Sequence, residues 1–334
     1  MPAGDPCVVA VLGASAAAPP PGLEQAIPGC DLRFAETGDQ LQAASDAEVA
    51  YIWSPGADWL PAHWGWSPRL RWIATSTVGV DWLLFPELVG SDVILTNAAG
   101  LFDDTMAEYA LALVAAVGAD LHTTVRLQQG REWRHREITR LAGSQVIVAG
   151  VGGIGRAIAR LLSRAGASVT CVGRTGRADP DLDWVAPVAD LGQLLPGADF
   201  VILALPLTAA TTGLIGPAEL ARMRRDSWLI NLGRGALVDE LALIGALHDG
   251  VIGGAALDVF EQEPLPTASP LWTLPNVIVS PHMSADFQGW ERAQVELFVW
   301  QLASYRDGQP LANVVDKNLG FVTAAARPAL RPPG

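Results

Sequence analysis

Three side chains in the last third of the chain carry chemistry-bearing groups at strand ends. Arg234 lies between two glycines in SWLINLGRGALVDE (227–240), just beyond an apolar run, Trp228-Leu229-Ile230, that ends in Asn231. A guanidinium buried there without a partner costs several kcal/mol or more, so a partner is expected from the protein or from a ligand. GGAALDVFEQEPLP carries Asp258, Glu261 and Glu263, and VIVSPHMSADF carries His282. A lone histidine is more often structural than catalytic, and Glu263 alone reads as a loop carboxylate. Arg234, Glu263 and His282, however, all follow strand ends of one open α/β sheet, and in such sheets ligands bind outside the carboxyl ends of the strands. Together they are groups that hold anions and transfer protons.

A glycine loop lies upstream. VIVAGVGGIGRAIARLL holds Gly150-x-Gly152-x-x-Gly155 after an apolar strand, and it opens a helix whose Ile154, Ile158, Leu161 and Leu162 share one face. That context is what a dinucleotide site requires. Gly150 allows the tight turn, Gly152 the approach of a pyrophosphate, and Gly155 the packing of helix on strand, with the helix N-terminus offering N–H groups to the phosphates. The next strand, SVTCV, runs into Gly173-Arg174-Thr175-Gly176-Arg177, with no carboxylate at its end to hold ribose hydroxyls. Arg174 and Thr175, with Arg177 beside them, suit a 2′-phosphate. The competing readings are solvated loop arginines, or Asp179, Asp181 or Asp183 folding back onto the ribose.

Around these residues the chain has the material for two domains. It has 334 residues, half of them apolar, and a net charge of −13. The acidic balance argues against nucleic acid and against a polybasic membrane anchor, while one arginine can still outweigh a diffuse negative field for an anionic substrate. Lys317 is the only lysine, which sets aside Schiff-base chemistry. Cys7, Cys30 and Cys171 are far apart in sequence and form no metal-ligand spacing, so no metal site is expected. A reduced, cytoplasmic compartment fits, and no run is long and apolar enough to cross a membrane.

Strands are expected at Cys7–Leu12, Asp31–Ala35, Glu48–Trp53, Arg71–Thr75 and Asp92–Thr96, forming a small α/β unit. Asp103–Gln129 reads as one long, largely buried helix, bent near Gly118, with an acidic first turn. Strict alternation follows: strands at Gln145–Ala149, Ser168–Val172, Asp199–Ala204, Ser227–Asn231, Gly253–Asp258 and Val277–Ser280. Amphipathic stretches such as Arg156–Arg164 and Leu237–His248 lie between them. This implies a doubly wound parallel sheet. A last helix, Trp290–Arg306, is expected to cross back to the first domain. The domains are thus 1–100 with 286–334, discontinuous, and 101–285, the inserted dinucleotide-binding domain. The tail AAARPALRPPG reads as loop or disorder.

The motifs GVGGIG, LPLTAATTGLI, INLGRGALVDE, ALDVFEQEPLP and SPH, in this order and spacing, resemble those of the D-isomer-specific 2-hydroxyacid dehydrogenases. The likeness extends to STVGVD (76–81), NAAGLFDDTMAEYALAL (97–113) and GQPLANVVD (308–316), so it covers most of the chain beyond the first seventy residues. It implies two Rossmann-like or flavodoxin-like α/β domains and an NAD(P)H-dependent 2-ketoacid reductase, with glyoxylate or hydroxypyruvate as first substrates. The alternatives are a dinucleotide-sensing protein of the same fold that does no catalysis, or a different Rossmann enzyme.

By this resemblance Arg234 meets the substrate carboxylate and keto oxygen. His282 exchanges a proton with the substrate oxygen as hydride moves, and Glu263 fixes and charges the imidazole. The Val78 and Gly79 amides are a second clamp on the carboxylate. The implied cofactor contacts are Gly150, Gly152, Gly153, Ile154 and Gly155 in the glycine loop, with Arg174 and Thr175 after the second strand. Further along they are Leu205, Pro206 and Thr212, then Leu232 and Gly233, then Asp258 at the carboxamide and Ser284. NADP(H) is favoured and NAD(H) is possible. Met283-Ser284-Ala285-Asp286 departs from the small Gly/Ala-rich run expected after the histidine. Trp53, Trp59, Trp64, Trp66 and Trp82 are read mostly as core. A homodimer is expected through Asp103–Gln129 and the arm up to about Thr139.

Overall fold

Apolar, β-branched runs a few residues long have nowhere to bury both faces except inside a sheet covered by helices, and the chain builds two such sheets. The computed structural model describes residues 7–53 and 57–323, so the tail from Ala324 lies outside the described residues. The chain divides into two compact units, residues 1–101 with 287–334, and residues 102–286.

In the first unit β1 (Cys7–Leu12), β2 (Cys30–Ala35), β3 (Val49–Ile52), β4 (Trp72–Thr75) and β5 (Ile94–Thr96) form a parallel sheet in the order β2-β1-β3-β4-β5. That is the flavodoxin-like order. The second sheet contains β6 (Gln145–Ala149), β7 (Ser168–Gly173), β8 (Arg177–Asp179), β9 (Asp183–Pro187), β10 (Phe200–Leu203), β11 (Trp228–Asn231), β12 (Gly254–Leu257) and β13 (Val277–Val279). Its order is β13-β12-β11-β10-β6-β7-β9-β8. Without β8 this is a Rossmann order in which the winding reverses between β6 and β10. The helices, in chain order, are α1 (Leu23–Ala26), α2 (Pro86–Val89), α3 (Asp103–Gly118), α4 (Leu121–Gln129), α5 (Gly153–Arg164), α6 (Leu191–Leu194), α7 (Pro217–Leu220), α8 (Glu240–His248) and α9 (Trp290–Arg306).

Every strand read from the sequence is present, the long helix bends close to Gly118 as expected, and three features differ from expectation. The long helix is two, α3 and α4, bent by 63° at a break beside Asp120, whose φ is +52°. Only α3 buries a face, through Met106, Ala110, Leu113, Val114 and Val117; no residue of α4 is buried. The charge network explains the break: Asp120 binds Arg136 of the following arm, and Arg136 also donates to Thr124 at 2.6 Å. The second difference is the β8–β9 hairpin, whose antiparallel pair adds an edge to an otherwise parallel sheet. The start of α8 also moves, to Glu240, because the Asp239 side chain caps the helix by accepting from the Ala242 amide at 2.9 Å.

The first unit closes on its C-terminal segment. Tyr51 of β3 stacks on Phe298 of α9 with ring centroids 4.1 Å apart, and Gln294 donates to the Ser76 carbonyl at 2.7 Å. Asn313 donates to the Ala99 carbonyl at 2.7 Å. Lys317 donates to three carbonyls that follow or end α2, those of Leu88, Ser91 and Val93, at 2.9, 2.6 and 3.0 Å. Trp59, Trp64, Trp66 and Trp82 pack half-buried against one core of this unit, and Trp53 against the other. No single helix among the described residues is long and apolar enough to cross a membrane.

Candidate active site

The segment after β11 is held by Asn231, a buried residue that the sequence reading took only as a strand end. Its Nδ2 donates to the Arg234 carbonyl at 2.9 Å, and its Oδ1 accepts from the Gly233 amide at 3.1 Å. This asparagine turn sets the direction in which Arg234 leaves the strand. The half-buried arginine is extended at φ −144°, and its Nη1 donates to the Gly233 carbonyl at 2.9 Å. Gly235 follows because nothing larger fits: a Cβ there would lie 1.8 Å from the carbonyl carbon of Phe260. The loop after β11 is thereby pressed against the loop after β12, which carries Glu263.

The Glu263 carboxylate bridges two groups. Its Oε1 accepts from the Phe260 amide at 2.9 Å, and its Oε2 lies 2.6 Å from Nδ1 of His282. Hydrogen bonding to Glu263 raises the His282 pKa above its ordinary value, ahead of burial, which opposes it; the Glu263 charge adds to the rise and the Arg234 charge opposes it. Burial works to raise Glu263, but the hydrogen bonds from His282 and the Phe260 amide, with the charges of His282 and Arg234, hold it below its ordinary value. The pair therefore favours imidazolium beside carboxylate. The Glu263 bond fixes Nδ1, which leaves Nε2 as the nitrogen for proton exchange.

His282 itself has φ +51°, a conformation that costs a non-glycine residue roughly 1–2 kcal/mol. Asp258 holds it there. The His282 amide donates to the Asp258 carbonyl at 2.8 Å. The fully buried Asp258 carboxylate accepts from the Met283 amide at 3.0 Å, the Ser284 amide at 2.9 Å and the Ser280 hydroxyl at 2.7 Å. Tyr109 of α3 reaches the same hydroxyl, and burial above all raises its phenol. The residues expected at the carboxamide and beside it, Asp258 and Ser284, are thus both buried, in the turn that presents the histidine. Ser280 and Tyr109 were not read from the sequence; the serine before Pro281 was the only available signal.

The glycine loop has the geometry its spacing called for. Gly150 has φ +115°, and a Cβ there would lie 2.2 Å from the Ala204 carbonyl oxygen. A Cβ on Gly155 would lie 1.9 Å from the Gly150 carbonyl oxygen, which explains the close seating of α5 on β6. Gly152 is the N-cap of α5 and makes no side-chain cap. Gly153 and Ile154 open the helix, so its first amides suit the phosphates of a dinucleotide. Around β10 and β11, Leu205 and Gly233 approach closely, a Cβ on Gly233 lying 3.0 Å from the Leu205 carbonyl oxygen. Leu232 is buried, while Pro206 and Thr212 are exposed, the latter donating to the Thr208 carbonyl at 2.9 Å.

At the end of β7, Arg174 and Thr175 are exposed, and Arg177 Nη1 donates to the Thr175 carbonyl at 3.3 Å. Gly173 leaves little room at this strand end: a Cβ would lie 2.8 Å from Val185 Cγ1 and 3.0 Å from Val151 Cγ2. Asp179 does not turn toward this strand end in solvent; it is buried and doubly bound by Arg156 of α5. Hydrogen bonding to Arg156 outweighs burial, which opposes it, and holds the Asp179 pKa down to about 2. In the first unit, the Val78 carbonyl accepts from Asn97 Nδ2 at 2.6 Å and the Gly79 carbonyl from the Thr77 hydroxyl at 2.9 Å, so these bonds leave the two amides uninvolved. Among the described residues no group of His, Cys, Asp or Glu side chains is arranged to hold a metal ion.

Two doubly wound units, one with a dinucleotide loop and an Arg–Glu–His cluster on its loops, define the chain as a nucleotide-dependent α/β oxidoreductase. It belongs to the D-isomer specific 2-hydroxyacid dehydrogenases: the model of that family's NAD binding domain matches residues 111–284. The glyoxylate reductase of Korarchaeum cryptofilum is 32% identical over 274 residues, 80% of either chain. A D-isomer specific 2-hydroxyacid dehydrogenase from Xanthobacter autotrophicus Py2, solved with NADPH and MES, is 32% identical. It covers 94% of this chain and 99% of its own, with a TM-score of 0.81. The NADPH-dependent glyoxylate/hydroxypyruvate reductase SmGhrA of Sinorhizobium meliloti, solved with NADP and sulfate, is 29% identical. It covers 94% of this chain and all of its own, also with a TM-score of 0.81. The chain is accordingly an NAD(P)-dependent oxidoreductase acting on the CH–OH group of 2-hydroxy acids.

Proposed function

We propose that the enzyme reduces small 2-ketoacids to 2-hydroxyacids with NADPH as preferred donor, glyoxylate and hydroxypyruvate being the first candidates. The observation that carries this is the 2.6 Å contact between His282 Nδ1 and Glu263 Oε2, beyond the carboxyl ends of the same sheet whose β11 leads into Arg234. A nicotinamide cofactor held by the glycine loop would supply hydride to C2 of the substrate. His282 then gives the proton on Nε2 to the carbonyl oxygen, and takes it back in the reverse direction. Glu263 keeps the ring charged and oriented until that transfer. Arg234 binds the substrate carboxylate and stabilises negative charge on the keto oxygen.

The cofactor preference rests on the β7 end, where Gly173 is followed by Arg174 and Thr175 rather than by an acid. The two solved relatives that hold NADPH and NADP support it. Exposed apolar side chains on α4 and the arm, among them Trp133 at 102% and Ile138 at 65% relative exposure, support a homodimer formed through this segment. The direct test is oxidation of NADPH and of NADH, followed by absorbance, across a panel of 2-ketoacids. Turnover of glyoxylate or hydroxypyruvate with NADPH is expected. Tight nucleotide binding without turnover of any 2-ketoacid would overturn the catalytic reading.

A further inference from the structure

One guanidinium ties the glycine loop to the hairpin that follows the second strand. Arg156 lies one residue beyond Gly155, in the first turns of α5. Its Nε donates to the Val151 carbonyl, inside the glycine loop, at 3.2 Å. Its Nη1 donates to Asp179 Oδ1 at 2.8 Å and to Asp181 Oδ2 at 3.3 Å, and its Nη2 binds Asp179 Oδ2. Asp179 Oδ1 also accepts from the Asp181 amide at 3.1 Å. The carboxylate is thus enclosed and fully paired, at only 4% side-chain exposure.

This acid ends β8, the antiparallel edge strand, only two residues after Arg177. Arg177 in turn lies over the end of β7: a Cβ on Gly173 would lie 3.4 Å from its Nη1. Any ligand at Gly173–Arg177 therefore meets a turn whose nearest downstream acid has been neutralised from the far side. Without Arg156 the buried carboxylate would lose its charge partner, a state that a side chain at a sheet edge relieves by turning into solvent.

We propose that Arg156 and Asp179 form a specificity-determining pair that keeps the Asp179 carboxylate away from the cofactor ribose. The turn is then left to Arg174, Thr175 and Arg177, as a site for a 2′-phosphate. The inference rests on the NADPH preference proposed above and names what enforces it. Arg156 acts through Asp179 as a positioning residue.

The test is the ratio of dissociation constants for NADH and NADPH, measured by nicotinamide fluorescence without substrate, in wild type and three variants. Arg156→Gln is expected to cut the preference for NADPH by about tenfold or more, because a released carboxylate repels the phosphate and accepts from ribose hydroxyls. Asp179→Asn is expected to keep or raise the preference, having no carboxylate to release. The double variant, which restores the net charge of the pair, is expected to return toward wild type. An unchanged ratio in Arg156→Gln, or equal loss of NADPH binding in all three variants, overturns the proposal while the NADPH reading stands. A wild type that prefers NADH overturns both.

Discussion

Asp258 and His282 are joined from both directions: the histidine amide donates to the Asp258 carbonyl at 2.8 Å, and the Asp258 carboxylate receives the amides of the two residues that follow the histidine. The left-handed backbone at His282 follows from this grip. In Asp258→Asn one acceptor oxygen becomes a donor facing an N–H group, which leaves a buried amide unsatisfied at a cost of about 1–3 kcal/mol. We expect a lower melting temperature together with a fall in kcat of roughly 10²-fold, as the imidazole loses its aim. A variant with normal melting behaviour and only a weaker grip on nicotinamide would instead make Asp258 a cofactor contact.

Protonation of His282 sets the direction of the pH profile. Its pKa is raised mainly by Glu263, and in the proposed mechanism ketoacid reduction uses the protonated ring. The rate of reduction is therefore expected to hold at lower pH and to fall as pH rises through the raised value; oxidation of the hydroxyacid runs the other way. Glu263→Gln removes the principal cause, so both midpoints move to lower pH. Midpoints that stay in place in this variant would show that another group titrates. The same pair stabilises the fold above the ordinary carboxyl range, because Glu263 is depressed, and loses that contribution as pH climbs through the raised His282 value.

Gly235→Ala tests the contact between the Arg234 and Glu263 loops. The added methyl would lie 1.8–2.3 Å from backbone atoms of Phe260 and Glu261, which cannot swing aside. A loss of 1–3 kcal/mol or more is expected from such overpacking, roughly, read as a lower denaturant midpoint. Substrate KM should rise and kcat fall together as Arg234 moves. Wild-type kinetics in a stable variant would disprove the coupling of the two loops.

Assembly through the arm predicts a scattering mass near twice 35.2 kDa at micromolar concentration. Trp133→Glu combined with Ile138→Glu should shift that mass toward the single chain without unfolding it, because both side chains are exposed within one copy. A single-chain mass for the wild type would dismiss the dimer.

The parts of the fold that could be read from residues alone are those where pattern and packing agree. Runs such as Val146–Ala149 and Val201–Leu203 can be buried on both faces only in a parallel sheet, and they are. The β8–β9 hairpin was not legible: RADPDLDWVAP is polar and interrupted by proline, and the Arg156–Asp179 bond that fixes the hairpin spans 23 residues. The bend near Gly118 was legible, since a glycine is the weak point of an apolar helix, and α3 ends there. The partner that fixes it was not: Arg136, sixteen residues on, binds Asp120 where the chain turns. In the site, Arg234, Glu263 and His282 were recoverable from motif and strand position. Asn231, Ser280 and Tyr109 were not, since the roles of a buried asparagine or serine and of a half-buried tyrosine appear only with their partners.

The single lysine gives the chain an unusual chemical simplicity. Lys317 is committed to three carbonyls around residues 88–93, and burial lowers its pKa. Acylating that amine means first releasing it, so the rate of its labelling by an amine-directed reagent is a clock for local opening of the segment it ties down. In most proteins such a clock is drowned by surface lysines. Here a mass shift on the peptide that carries Lys317, which separates it from the α-amine, reads it, and it can be followed with and without cofactor or substrate.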